Sequence, residues 1–143
     1  MEETNFGLLI NKLFYYMDVI YYYYYLFYTR IIKDNEPHML TILAISATEG
    51  FALNMLIQVA LILYQCKQIS SLLWISIIVL INIFNYYYYY KSGRSIRIIK
   101  KRPMFFSNNR ISILLTVLFF IVLGTSIIWG SILTKYLLET YCK

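Results

Sequence analysis

The chain has 143 residues, of which 60% are hydrophobic, 19% aromatic and only 14% charged, with a formal net charge of +6. A soluble domain carries nearer a quarter charged residues, so this composition excludes an ordinary soluble enzyme and points to a membrane protein. Five glycines and two prolines leave few turns for an all-β chain. No Gly-rich phosphate loop, G-x-S-x-G or H-E-x-x-H is present, and the loops are too short for a soluble catalytic domain. No enzymatic activity is expected.

Four apolar stretches follow one another, at about 8–30, 39–64, 69–90 and 111–136. Each supplies the ~20 residues that cross a ~30 Å hydrocarbon layer. Lipid admits only helices or closed barrels, and runs such as ILLTVLFFIVLG lack the alternation of barrel strands. The expected fold is therefore an all-α membrane protein, one integral membrane domain with four transmembrane helices. The acidic start, MEETNFG, differs from a signal peptide, so the first stretch is expected to stay.

The first stretch carries Asn11, Tyr15, Asp18, Tyr22, Tyr25 and Thr29 at steps of three and four, one polar face on a helix. That face packs inward, or the whole helix lies in the interface, which would leave three crossings and an inner N-terminus. The stretch ends in Tyr21, Tyr22, Tyr23, Tyr24 and Tyr25, then Arg30-Ile-Ile-Lys33 and Pro37. The third stretch repeats the pattern with Tyr86, Tyr87, Tyr88, Tyr89 and Tyr90, then Arg97-Ile-Ile-Lys100 and Pro103. Five successive residues sweep all round a helix and mark a depth, here the headgroup boundary where tyrosine is enriched. Trp74 and Trp129 are expected at the opposite boundary. The match also suggests two tandem helical-hairpin repeats.

The second stretch holds Glu49 beside a strict i+4 row, Ser46, Gly50, Asn54 and Gln58. Small and amide side chains at that spacing suit close helix contact with interhelical hydrogen bonds. Ser126, Gly130 and Thr134 form a comparable row on the fourth stretch, and Asn82 and Asn85 lie on the third. An ionisable group at membrane depth costs about 2.5–3.5 kcal/mol, so Asp18 and Glu49 stand out, and no Lys or Arg is expected at their depth. They either tie the helices together or, with Asn54, Gln58, Asn82 and Asn85, line an ion path. His38 reads as a surface residue.

Between the third and fourth stretches, residues 91–110 carry Lys91, Arg94, Arg97, Lys100, Lys101, Arg102 and Arg110 with no acid, and form a basic cytoplasmic loop. Four crossings then place both termini outside, with nine Lys and Arg inside and four outside (Lys12, Lys67, Lys135, Lys143). Asn109 or Ser107 is the expected N-cap of the fourth helix. Anionic lipid headgroups account for the basic loop at about 1 kcal/mol per charge, and nucleic acid is not expected. Cys66 and Cys142 lack the spacing of a metal or redox motif. Both fall at outer helix ends, where free thiols are the expectation and a disulfide the alternative. No metal or cofactor is expected.

These features describe a small polytopic protein of the inner (cytoplasmic) membrane, N-out/C-out. It is expected to act as a subunit or partner-binding protein through contacts with another membrane protein or with itself. The alternative is a homo-oligomeric ion or proton channel, or a membrane-permeabilising pore, using Asp18 and Glu49. An enzyme acting on lipids is the weaker alternative.

Overall fold

The computed structural model describes residues 2–142, with side chains from residue 7 onward. Met1, Lys143 and the side chains of residues 2–6 lie outside the described residues. Regular structure among the described residues is entirely helical. Helix α1 (Glu2–Phe27) runs into one π-helical turn, Tyr28–Ile32, which stops at Lys33 in the left-handed conformation (φ 56°). Helix α2 (Pro37–Gln65) has its proline in the first turn, where the missing N–H costs nothing. Helix α3 (Ser71–Asn85) starts from Ser70, whose hydroxyl accepts from the Leu73 N–H, and continues as a π-helix over Tyr86–Lys91.

The basic segment is not a plain loop. Gly93 (φ 66°) opens a helix, α4 (Arg94–Lys101), that buries Ser95 and Ile98, one helical turn apart. Arg102, Phe106 and Ser107 then adopt positive φ. The next helix, α5 (Asn109–Gly124), is capped by Asn108 rather than by Asn109 or Ser107. The extended backbone of Asn108 lets its Oδ1 accept from the Arg110 N–H at 2.9 Å. The fourth apolar stretch divides at Thr125, where α5 gives way to α6 (Ser126–Tyr141).

Helix α2 and the segment Ser71–Lys91 are long and apolar enough to cross a membrane. A third crossing is added if Arg94–Ser107 and Asn109–Gly124, bent by 98°, count as one span. Helix α1 does not meet the same measure. The two R-I-I-K motifs differ locally: the first ends the π-helical turn after α1, the second lies within α4.

The chain divides into two compact units, Met1–Ile42 with Tyr87–Val117, and Leu43–Tyr86 with Leu118–Lys143. The core of the first holds Val19, Ile20, Tyr21, Tyr22, Tyr23 and Tyr24 together with Tyr89, Ile98 and Phe105. The core of the second holds Ile45 and Ile62, with Ser46, Thr48, Asn54, Asn85 and Ser126 also buried.

Candidate functional site: polar clusters in the two units

In the first unit Asp18 is not left without a cation. Arg94 grips its carboxylate with two parallel bonds, Nε to Oδ1 at 2.9 Å and Nη2 to Oδ2 at 2.8 Å. The side chains are 30% and 18% exposed respectively. The Arg94 guanidinium also lies 4.5 Å from the centre of the Tyr88 ring and 5.8 Å from that of Phe14. The Asp18 hydrogen bond holds the Arg94 pKa above its ordinary value. Seventy-six residues separate the partners, so no local pattern in the sequence announces the pair. The seven-residue basic set offered to lipid thereby shrinks to six: Lys91, Arg97, Lys100, Lys101, Arg102 and Arg110, all exposed.

The same unit packs the basic segment against α1 between Tyr15 and Tyr23. The Tyr15 hydroxyl donates to the Met104 carbonyl at 2.9 Å, Tyr16 meets Phe105 with ring centres 5.6 Å apart, and Tyr23 donates to Asn109 Oδ1 at 2.6 Å. Leu8, Asn11, Lys12, Tyr15, Tyr16, Phe105 and Phe106 line an open, mainly apolar groove of about 400 Å³. The first tyrosine run is packed within protein: Tyr21 stacks on Tyr89 at 4.5 Å and hydrogen-bonds His38 Nδ1 at 2.9 Å. His38 is therefore an internal partner of Tyr21 and Tyr25. In the second run Tyr87 and Tyr90 face outward, about half exposed.

In the second unit the i+4 row of α2 closes onto α3 and the turn before it. Ser46 Oγ accepts from Asn85 Nδ2 at 3.1 Å. A Cβ on Gly50 would lie 2.9 Å from Ile78 Cγ1. Asn54 Nδ2 donates to the Trp74 carbonyl at 3.1 Å, and Gln58 Oε1 accepts from the Ile69 N–H at 2.8 Å. The row is thus consumed inside the chain and is not spare surface for another protein. Glu49 accepts from Asn85 Nδ2 at 2.6 Å and has no ion pair among the described residues. Gly130 of α6 packs against Met55, while the Ser126 hydroxyl donates to the Leu123 carbonyl of α5 and the Thr134 hydroxyl to the Ser131 carbonyl of its own helix. Trp74 stacks on Phe51, and Trp129 donates to the Val122 carbonyl. Cys66 and Cys142 form a disulfide, with Cα atoms 5.6 Å apart.

Compared with family models, curated proteins and solved structures, the chain matches none. The site must therefore be read from its own chemistry.

Two polar side chains stand apart. The Oδ1 of Asn54 is buried with no hydrogen-bond partner among the described residues. Asn82, on α3 and half-buried, makes no side-chain hydrogen bond among them either. Both were visible in the sequence as membrane-depth amides. Which of the amides would find partners was not, because that depends on helix pairing.

Proposed function

We propose that this is a multi-pass protein of the inner (cytoplasmic) membrane that acts as a subunit or partner-binding protein, without catalysis of its own. The observation that carries this reading lies on α3. Only 6% of its most apolar window is buried, against 39% for α2. Lipid tails satisfy an uncovered apolar face, but they cannot satisfy an amide. Asn82 lies 11 residues from Ser71 and 9 from Lys91, near the middle of that span, so a polar group from elsewhere is called for.

The contacts of α1 with the basic segment, from Tyr15 to Tyr23, support an interfacial α1, three crossings and an inner N-terminus over the four-crossing N-out/C-out arrangement. Charge supports it too. Moving Lys12 inward changes the count of Lys and Arg from nine inside and four outside to ten and three, out of 13, a sharper bias in the sense that sets orientation. The six exposed cations then meet anionic headgroups at the cytoplasmic face. The Cys66–Cys142 pair falls on the oxidising side in either arrangement.

With Asp18 held by Arg94, a conducting role rests on Glu49. The two readings separate by phenotype in the native host. A partner-binding protein loses function when Asn82 is changed to Leu and keeps it when Glu49 is changed to Gln, whose Oε1 still accepts from Asn85. The reverse pattern would establish conduction and overturn the proposal.

A further inference from the structure

Resting on that partner-binding reading, we infer that the partner is a second copy of this chain, docked in parallel through the α3 row Leu72, Ile75, Val79, Asn82 and Tyr86. The steps between these residues are three, four, three and four, the a/d repeat that forms a straight seam between two helices. Leu72, Ile75 and Val79 are 78%, 57% and 50% exposed. Ile and Val are β-branched and rigid at χ1, so they lose little rotamer freedom when packed in a helix seam. Asn82 is the one amide of the row, and an amide within a membrane helix seam joins the helices by hydrogen bonds across it.

Symmetry selects the occupant. The basic segment gives every copy the same orientation in the membrane, so a two-fold axis must run along the membrane normal. Such an axis brings each residue of the row opposite itself at the same depth. Asparagine has both a donor and an acceptor in one side chain, so two Asn82 side chains facing each other satisfy both. A different protein would need its own polar group at that same depth. The other side of α3, with Leu73, Leu80 and Phe84 at 46%, 65% and 61% exposure, presents no amide and calls for no polar partner.

Cysteine scanning in native membranes tests this, with the Cys66–Cys142 disulfide left in place. Ile75→Cys and Val79→Cys should give oxidant-induced dimers, while Leu73→Cys, Leu80→Cys and Phe84→Cys should not. Asn82→Leu, which lipid tolerates and which therefore folds, should weaken dimer association about three- to ten-fold in a dilution titration. Asn82→Gln should restore most of it. Crosslinks confined to the Leu73, Leu80 and Phe84 positions would overturn the assigned face. If no copies crosslink but a different polypeptide co-purifies and is lost with Asn82→Leu, the second copy is wrong and the partner-binding reading survives. A chain that neither crosslinks nor co-purifies with anything would defeat both.

Discussion

Removing Arg94 should destabilise the first unit more than any other change to the basic segment. With 30% and 18% side-chain exposure, the Asp18–Arg94 pair sits between two regimes. Fully exposed pairs contribute about 0–1 kcal/mol, whereas breaking a buried pair costs about 3–5 kcal/mol by stranding a charge. An intermediate cost of roughly 1–3 kcal/mol follows for Asp18→Leu, since the freed Arg94 can turn toward water or headgroups. Arg94→Leu belongs at the upper end. It strands the less exposed carboxylate and also gives up the Tyr88 ring contact, worth about 0.5–1 kcal/mol. At about 3 °C per kcal/mol for a chain of this size, thermal unfolding in mild detergent should fall by about 3–9 °C. The double variant Asp18→Leu/Arg94→Leu leaves no stranded charge and should lose less than the two single losses together. Arg97→Leu and Lys100→Leu, which alter exposed cations, should shift the midpoint by less than 2 °C. If the double-mutant cycle is additive within about 0.5 kcal/mol, the pair is not coupled and the account of the first unit fails.

Other consequences follow from the second unit and from topology. Gly50→Val should cost about 1–3 kcal/mol, because the added carbon meets Ile78 backbone as well as side chain, with Cα at 3.4 Å. Gly130→Ala meets the Met55 side chain at 3.2 Å, which can bend aside, so its unfolding midpoint should stay near that of the parent protein. Reducing the Cys66–Cys142 disulfide, which closes a 76-residue separation, should lower stability by about 2–4 kcal/mol, read as a drop in midpoint on adding reductant. An Asn11→Cys variant, its side chain exposed, should react with a membrane-impermeant maleimide in inside-out vesicles and not in intact cells. Labelling from outside would restore the four-crossing arrangement.

How much of this was legible in the sequence depends on the range of each interaction. The helical class was legible, since apolar run length is a local property, and so was the α2 row from Ser46 to Gln58, whose i+4 spacing is fixed by helix geometry. What the row faces was not, because the four positions it meets on α3 and its turn lie between 11 and 39 residues away in sequence. The Asp18–Arg94 pair was invisible for the same reason. Helix α4 left only a faint signal: Ser95 and Ile98, the two positions it buries, sit one helical step apart within a segment that its charge marked as loop. The tyrosine run at 21–24 reads as a depth marker when composition alone is considered. Its packing within protein involves Tyr89, His38 and Asn109, supplied by other parts of the chain. Helix α1 illustrates the limit best. Its residue content allowed both a span and an interfacial helix, and the contacts from Tyr15 to Tyr23, which favour the interfacial reading proposed above, come from a distant part of the chain.

The native mass of the complex isolated from its own membrane in mild detergent tests the central claim most directly. Association through α3 predicts a particle holding two copies of the 17.1 kDa chain, alone or with a second polypeptide at fixed stoichiometry, and with Asn82→Leu a larger share of single copies on dilution. A monodisperse single copy from the unaltered protein would contradict it.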